Sequence, residues 1–170
     1  MSGAAIPGME PEQFETRGAF HQAVVTLLTG AQREILLASG TFAGWPTHLP
    51  EVDTLLRGFF HASRVNKLRL LTTEQHLLHR EAPRLLRVAR EFSHVFSTRI
   101  VPAALATRMT ERFNFILVDR SRMVRRFDPV QMRGVIEFNP DEADQWLQRF
   151  EALWAESTPG LAATTIGLSA

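Results

Sequence analysis

Cysteine and tyrosine are both absent from the 170-residue chain. No disulfide framework, thiolate metal site or cysteine nucleophile is therefore possible, and no phenol is available as an acid. Lysine is almost missing as well, since Lys67 is the one lysine among nineteen basic residues. Arginine suits bidentate contacts to phosphate or carboxylate better than lysine does. No apolar run approaches the roughly 18–20 residues that span a bilayer. The segment 1–8 lacks the basic region and apolar stretch of a signal peptide. These absences predict a cytoplasmic protein with no membrane span.

With 45% hydrophobic residues, the chain can build a real core but is too short for two independent domains of ordinary size. Its net charge of +1 gives no bulk field that would favour nucleic acid or an anionic membrane. The distribution is less even. Residues 108–133 hold seven arginines against Glu111, Asp119 and Asp128, a local net of +4.

Residues 1–13 carry no periodic pattern and read as a disordered tail, as do residues 157–170, where composition turns to Ala, Thr, Gly and Ser. Residues 14–156 read as a single domain. Ala19, Phe20, Ala23, Val24, Leu27 and Leu28 have the three-and-four spacing of an amphipathic helix closed by Gly30. The run 34–39 reads as a strand covered on both faces. Pro50 opens a second helix with Val52, Leu55, Leu56, Phe59 and Phe60 on one face. The run 68–72 is a second strand. A third helical region from Glu74 restarts at Pro83 and carries Leu85, Leu86, Ala89, Phe92 and Phe96 on one side. A short strand follows at 98–101. Strands at 112–118 and 122–127 are joined by the tight turn 119–121. A last strand covers 134–138. Asn139, Pro140 and Glu142 form a helix start, with Trp146, Leu147, Phe150 and Leu153 facing inward. The order predicts a three-layer α/β domain with a mixed, mostly parallel sheet and an added antiparallel hairpin.

That order, with the hairpin strand, Val118-Asp119, basic turn, strand, resembles one half-repeat of the phospholipase D superfamily. The family's strand carries His, any residue, Lys, four more residues and Asp. Aligned on Asp119, the histidine falls on Arg112 and the lysine on Asn114. The family's histidine forms a phosphohistidine, and a protonated arginine cannot attack phosphorus. The resemblance therefore implies the fold without the covalent reaction, and it implies a homodimer, because two half-repeats pack together in the family.

Strand alternation places Arg112 and Asn114 on one face, where an arginine and an amide could hold a phosphate-type anion without reacting with it. The candidate anion site is Arg112, Asn114, Asp119, Arg125 and Arg126, with no catalytic residue assigned. A second candidate surface is the loop after the first strand, with Ser39, Thr41, Trp45 and His48, at the sheet edge where open α/β sheets bind ligands. His76 and His79 lack the spacing of four and the intervening Glu of a helical zinc motif, so no metal is expected. No motif calls for a cofactor. Two alternatives stand beside the non-catalytic module: a hydrolase using His48 or His94, and an accessory domain reading nucleic-acid phosphates through the arginines.

Overall fold

A computed structural model describes residues 10–109, 113–128 and 130–160. One eight-stranded sheet runs through it, in the order β1-β7-β6-β5-β2-β3-β4-β8. The strands are β1 (Glu12–Phe14), β2 (Glu34–Ala38), β3 (Lys67–Thr72), β4 (Phe96–Ile100), β5 (Phe115–Val118), β6 (Arg122–Asp128), β7 (Arg133–Glu137) and β8 (Thr158–Pro159). The helices are α1 (Arg17–Thr29), α2 (Pro50–Ala62), α3 (Gln75–Glu81), α4 (Pro83–Glu91) and α5 (Pro140–Glu156).

The middle of the sheet follows from the hydrophobic runs. Ile35 to Ala38 of β2 and Phe115 to Val118 of β5 are buried without a polar interruption, which is the pattern of strands covered on both faces. Alternation then divides them between two cores. Ile35, Leu37, Ile116, Val118 and Val124 pack with Phe20, Leu27, Leu56, Phe60 and Leu85 from the helices on one side. Leu36, Ala38, Leu71, Phe115, Leu117 and Met123 pack with Ala143, Trp146, Leu147, Phe150 and Leu153 of α5 on the other. Three layers result, as the order of elements predicts.

Caps and a proline break bound the helices. Thr16 caps α1 by accepting from Ala19 N–H at 3.1 Å. Asn139 caps α5 by accepting from the N–H groups of Asp141 and Glu142. The break before Pro83 separates α3 from α4, with Ala82 extended away from helical geometry. Phe96, grouped by spacing with Phe92 on a helix face, instead opens β4.

The sheet departs from expectation in direction and extent. Only β2–β3 and β3–β4 are parallel, and the other five pairings are antiparallel. The hairpin inserts beside β2, so antiparallel strands outnumber the parallel ones. The boundaries at 14 and 156 also fall short. Glu12 to Phe14 pair with Gly134 to Ile136, and Thr158 and Pro159 pair with β4. Both edge strands are too short for period-two reading. The first depends on Gly134, because a Cβ there would run into the Phe14 ring and the Arg125 carbonyl.

Candidate functional site

The strand β5 has two ends, and the five residues of the first candidate set do not gather at either one. Asn114 lies at its start, where its carbonyl accepts from Arg126 N–H at 2.9 Å. Asp119 follows its other end, five residues on, about 16 Å away at the strand rise of about 3.3 Å per residue. Arg112 lies outside the described residues.

At the far end, Val118 and Ser121 close a turn through Ser121 N–H to Val118 O, with φ of 52° at Asp119 and 57° at Arg120. Two successive left-handed residues give the type I′ geometry that matches strand twist. Aspartate tolerates that conformation, and it aims the carboxylate at the segment entering β2. Asp119 Oδ1 accepts from Arg33 N–H at 2.7 Å and Glu34 N–H at 2.9 Å, and Oδ2 accepts from Gln32 N–H at 2.9 Å. Arg122 completes the group by donating to Asp119 Oδ2 at 3.1 Å and to Gly30 O at 2.7 Å. Asp119 is thus a structural clamp between the hairpin and the α1–β2 connection, and it is removed from the candidate site.

The arginine cluster is dispersed. Arg125 points to the α5 side, donates to both carboxylate oxygens of Glu137 at 2.9 and 3.2 Å, and stacks 5.1 Å from the Trp146 ring centre. Arg120 pairs with Glu34, Arg108 with Glu156 and Arg133 with Asp128. Among the described residues, Arg108, Arg120, Arg122, Arg125 and Arg133 thus each meet an acid, outside the cluster as well as within it. Pairs of this exposed kind contribute little each.

Arg126 differs from the rest. Alternation sends it to the face opposite Arg125, and it is fully buried. Its Nη1 donates to Ala43 O at 2.8 Å and its Nη2 to Thr41 O at 3.3 Å, while the guanidinium lies over the rings of Phe20 and Trp45. Burial pushes its pKa down to about 10, and the charges of Glu81 and Asp128 oppose that fall. It stays charged at neutral pH. Glu81 on α3 holds the same loop from the other side, accepting from Thr41 Oγ1 and from Phe42 N–H at 2.8 Å. The peptides 41–43 are strapped between one buried cation and one carboxylate.

Ser39 and Asn114 complete the arrangement. Ser39, the residue after β2, donates from Oγ to Asn114 Oδ1 at 2.8 Å and is also hydrogen-bonded to Thr41 O. The structure thus brings together Asn114 and Arg126 from the first candidate set with Ser39, Thr41 and Trp45 from the second. It adds Glu81, which has no signal in the sequence beyond lying on α3. His48 is exposed and stacks edge-on with His21 at 5.8 Å. His21 itself contacts Gly44 O at 3.2 Å, and burial lowers its pKa. Among the described residues, two buried donors have no acceptor: Trp45 Nε1 and Arg126 Nε. Such a group costs about 1–3 kcal/mol unless an acceptor meets it.

A mixed sheet between helical layers, with a β5–β6 hairpin beside the parallel strands, is a phospholipase D-like fold. Solved structures share it. Nuc from Salmonella typhimurium, a phospholipase D family member, superposes with a TM-score of 0.57 at 15% identity, over 89% of this chain and 99% of its own. Phosphatidylserine synthase of Haemophilus influenzae gives 0.62 at 9% identity, over 91% of this chain and 41% of its own. The archaeal chromatin protein TrmBL2, whose structure shows a novel mode of DNA binding, gives 0.61 at 15% identity. The match covers 91% of this chain and 55% of that one, so the chain spans little more than half of the chromatin protein's length. No curated protein matches in sequence. Residues 16–162 match the model of a domain of unknown function, DUF7931, and the chain belongs to that family.

Proposed function

We propose that this chain is a phospholipase D-like module that acts by binding an anionic group and not by phosphoryl transfer. The observation that carries the reading is the content of the cluster at the start of β5. Where the resemblance expects a histidine nucleophile and a lysine clamp, the sequence has Arg112 and Asn114. The Asn114 amide is engaged by Ser39, and the charge beside it belongs to Arg126. Among the described residues, no imidazole belongs to this cluster. His21 and His48 stack against each other, and His21 contacts Gly44 O.

The ligand is an anion of phosphate type. The unmet donors Arg126 Nε and Trp45 Nε1 support this, since both are buried beside Asn114's partners and call for an acceptor. Inorganic phosphate tests it by isothermal titration. Saturable binding weakened about tenfold or more by Asn114→Ala or Arg112→Ala is the expected result, which corresponds to about 1.4 kcal/mol. Binding unchanged in both variants would overturn it.

The same module is a homodimer. Phe127 and Val130, at the β6–β7 end, are exposed large apolar side chains, and they flank the end of the sheet that carries Asn114. A second copy would cover them. Light scattering at tens of micromolar protein should give twice the chain mass, and a monomer would contradict the dimer. Nucleic-acid backbone is a second source of phosphate. It predicts salt-sensitive binding of duplex DNA, and no complex at about 50 mM salt would exclude it.

A further inference from the structure

A second polar groove lies at the opposite end of the parallel strands, between β4 and the C-terminal end of α5. Its volume is about 410 Å³, within the range of small-ligand sites, which is about 300–1,000 Å³. Lys67, Arg69, His94 and Arg99 line it, together with Ser97 and Trp154, and none of its lining residues is acidic. Register explains the convergence. Leu68 pairs with Phe96 and Arg69 with Ser97, so Lys67, Arg69, Ser97 and Arg99 fall on the α5 face of adjacent parallel strands.

The cations are held in place to different degrees. Arg69 is bound bidentately by Glu151 at 2.7 and 2.9 Å and lies 5.3 Å from the Trp154 ring centre, so its charge is already matched. Arg99 is oriented without being neutralised. Its Nη1 donates to Trp154 O at 2.8 Å, its guanidinium lies 4.8 Å over the same indole, and it forms no ion pair among the described residues. Lys67 is exposed and forms none there either. A guanidinium fixed on an aromatic face keeps its remaining donors ready at little entropic cost. In register Lys67 is level with Val95, four residues from Arg99, about 13 Å along the strands. That separation suits an elongated anion carrying two phosphoryl groups better than a single compact one.

We infer that this groove binds a small diphosphate-bearing anion through Arg99 and Lys67, at a site separate from the Asn114 cluster. Arg99 meets one phosphoryl group with its free donors, Lys67 meets the other as a point charge, and the Ser97 hydroxyl lies between them. The whole face thereby has a ligand that the arrangement at Asn114 does not explain.

Inorganic pyrophosphate titrated into the full chain by calorimetry tests the site. Saturable binding in the range of about 1 mM or tighter is expected at low salt. Lys67→Glu, an exposed substitution, should weaken it about tenfold or more, and Arg99→Gln by at least as much, with circular dichroism confirming that both variants fold. Lys67→Glu should leave inorganic phosphate binding at the Asn114 cluster unchanged, which separates this groove from the proposed phosphate site. Absence of saturable binding, or equal binding by wild type and Lys67→Glu, would overturn the assignment. Loss of binding in Asn114→Ala alone would move the ligand to the other cluster and overturn it equally.

Discussion

The two ends of β5 carry the same polypeptide through one sheet, yet they use polar residues in opposite ways. After its last residue, Asp119 is the residue that the resemblance to phospholipase D expects, and all of its visible work is internal: three backbone N–H groups and Arg122 use both of its oxygens. At its start, the expected residues are replaced, and the cluster around Asn114 and Arg126 retains buried donors without an acceptor. Asp119 is thus saturated and structural, whereas the other end keeps two buried donors, Trp45 Nε1 and Arg126 Nε, without an acceptor among the described residues.

Substitutions can separate the two ends. The largest effect is expected at Arg126. Arg126→Ala removes a side chain buried among Phe20, Trp45 and Met132 and leaves the carbonyls of Thr41 and Ala43 without their donor. A loss of about 4 kcal/mol in urea unfolding is expected. Less than about 1 kcal/mol would mean that the loop is held by Glu81 alone. Asp119→Ala should cost about 2–3 kcal/mol, since a charged acceptor of several backbone donors disappears. Phosphate affinity at the Asn114 end should stay unchanged in that variant under native conditions. Coupled loss of affinity in a folded Asp119→Ala protein would show that the two ends are not independent.

Smaller effects sharpen the contrast. Ser39→Ala frees the Asn114 amide oxygen and should cost about 1 kcal/mol, with a change in phosphate affinity that Asp119→Ala lacks. His21 gives a pH dependence. Burial lowers its folded-state pKa below the ordinary value, so the unfolded chain binds more protons in the window just below that value. Stability should therefore fall as pH drops through the ordinary histidine range of about 6.5 and below, and His21→Gln should flatten that part of the curve. Arg120→Gly should be neutral to stabilising by about 0.5 kcal/mol, because glycine relieves the left-handed φ of 57° while only an exposed pair with Glu34 is lost.

The sequence made the helices, the central strands and the turn legible, because buried runs and caps depend on neighbours in the chain. Asn139 and Pro140 start α5, and Pro83 divides the third helical region, where spacing and proline geometry place them. The edge strands were not legible, since three residues at β1 and two at β8 are fixed by partners more than a hundred and more than fifty residues away. Asn114, Ser39, Thr41 and Trp45 could be named from the turn after β2 and the aligned strand, but their contact across 75 residues could not. Asp119 was misplaced for a reason visible in its spacing: five residues of extended chain carry it to the other end of the strand. Arg126 belongs to the candidate anion site in the sequence, but its burial has no local signal, because arginine is seldom fully buried. Only the strap from Glu81 through the 41–43 peptides explains its position.

The most direct test of a binding module without phosphoryl transfer is hydrolysis of bis(p-nitrophenyl) phosphate by the full chain. Release of nitrophenol should not exceed the buffer blank, in wild type and Asn114→Ala alike. Turnover by the wild type that disappears in a folded Asn114→Ala variant would contradict it, and would place a working active site at the start of β5.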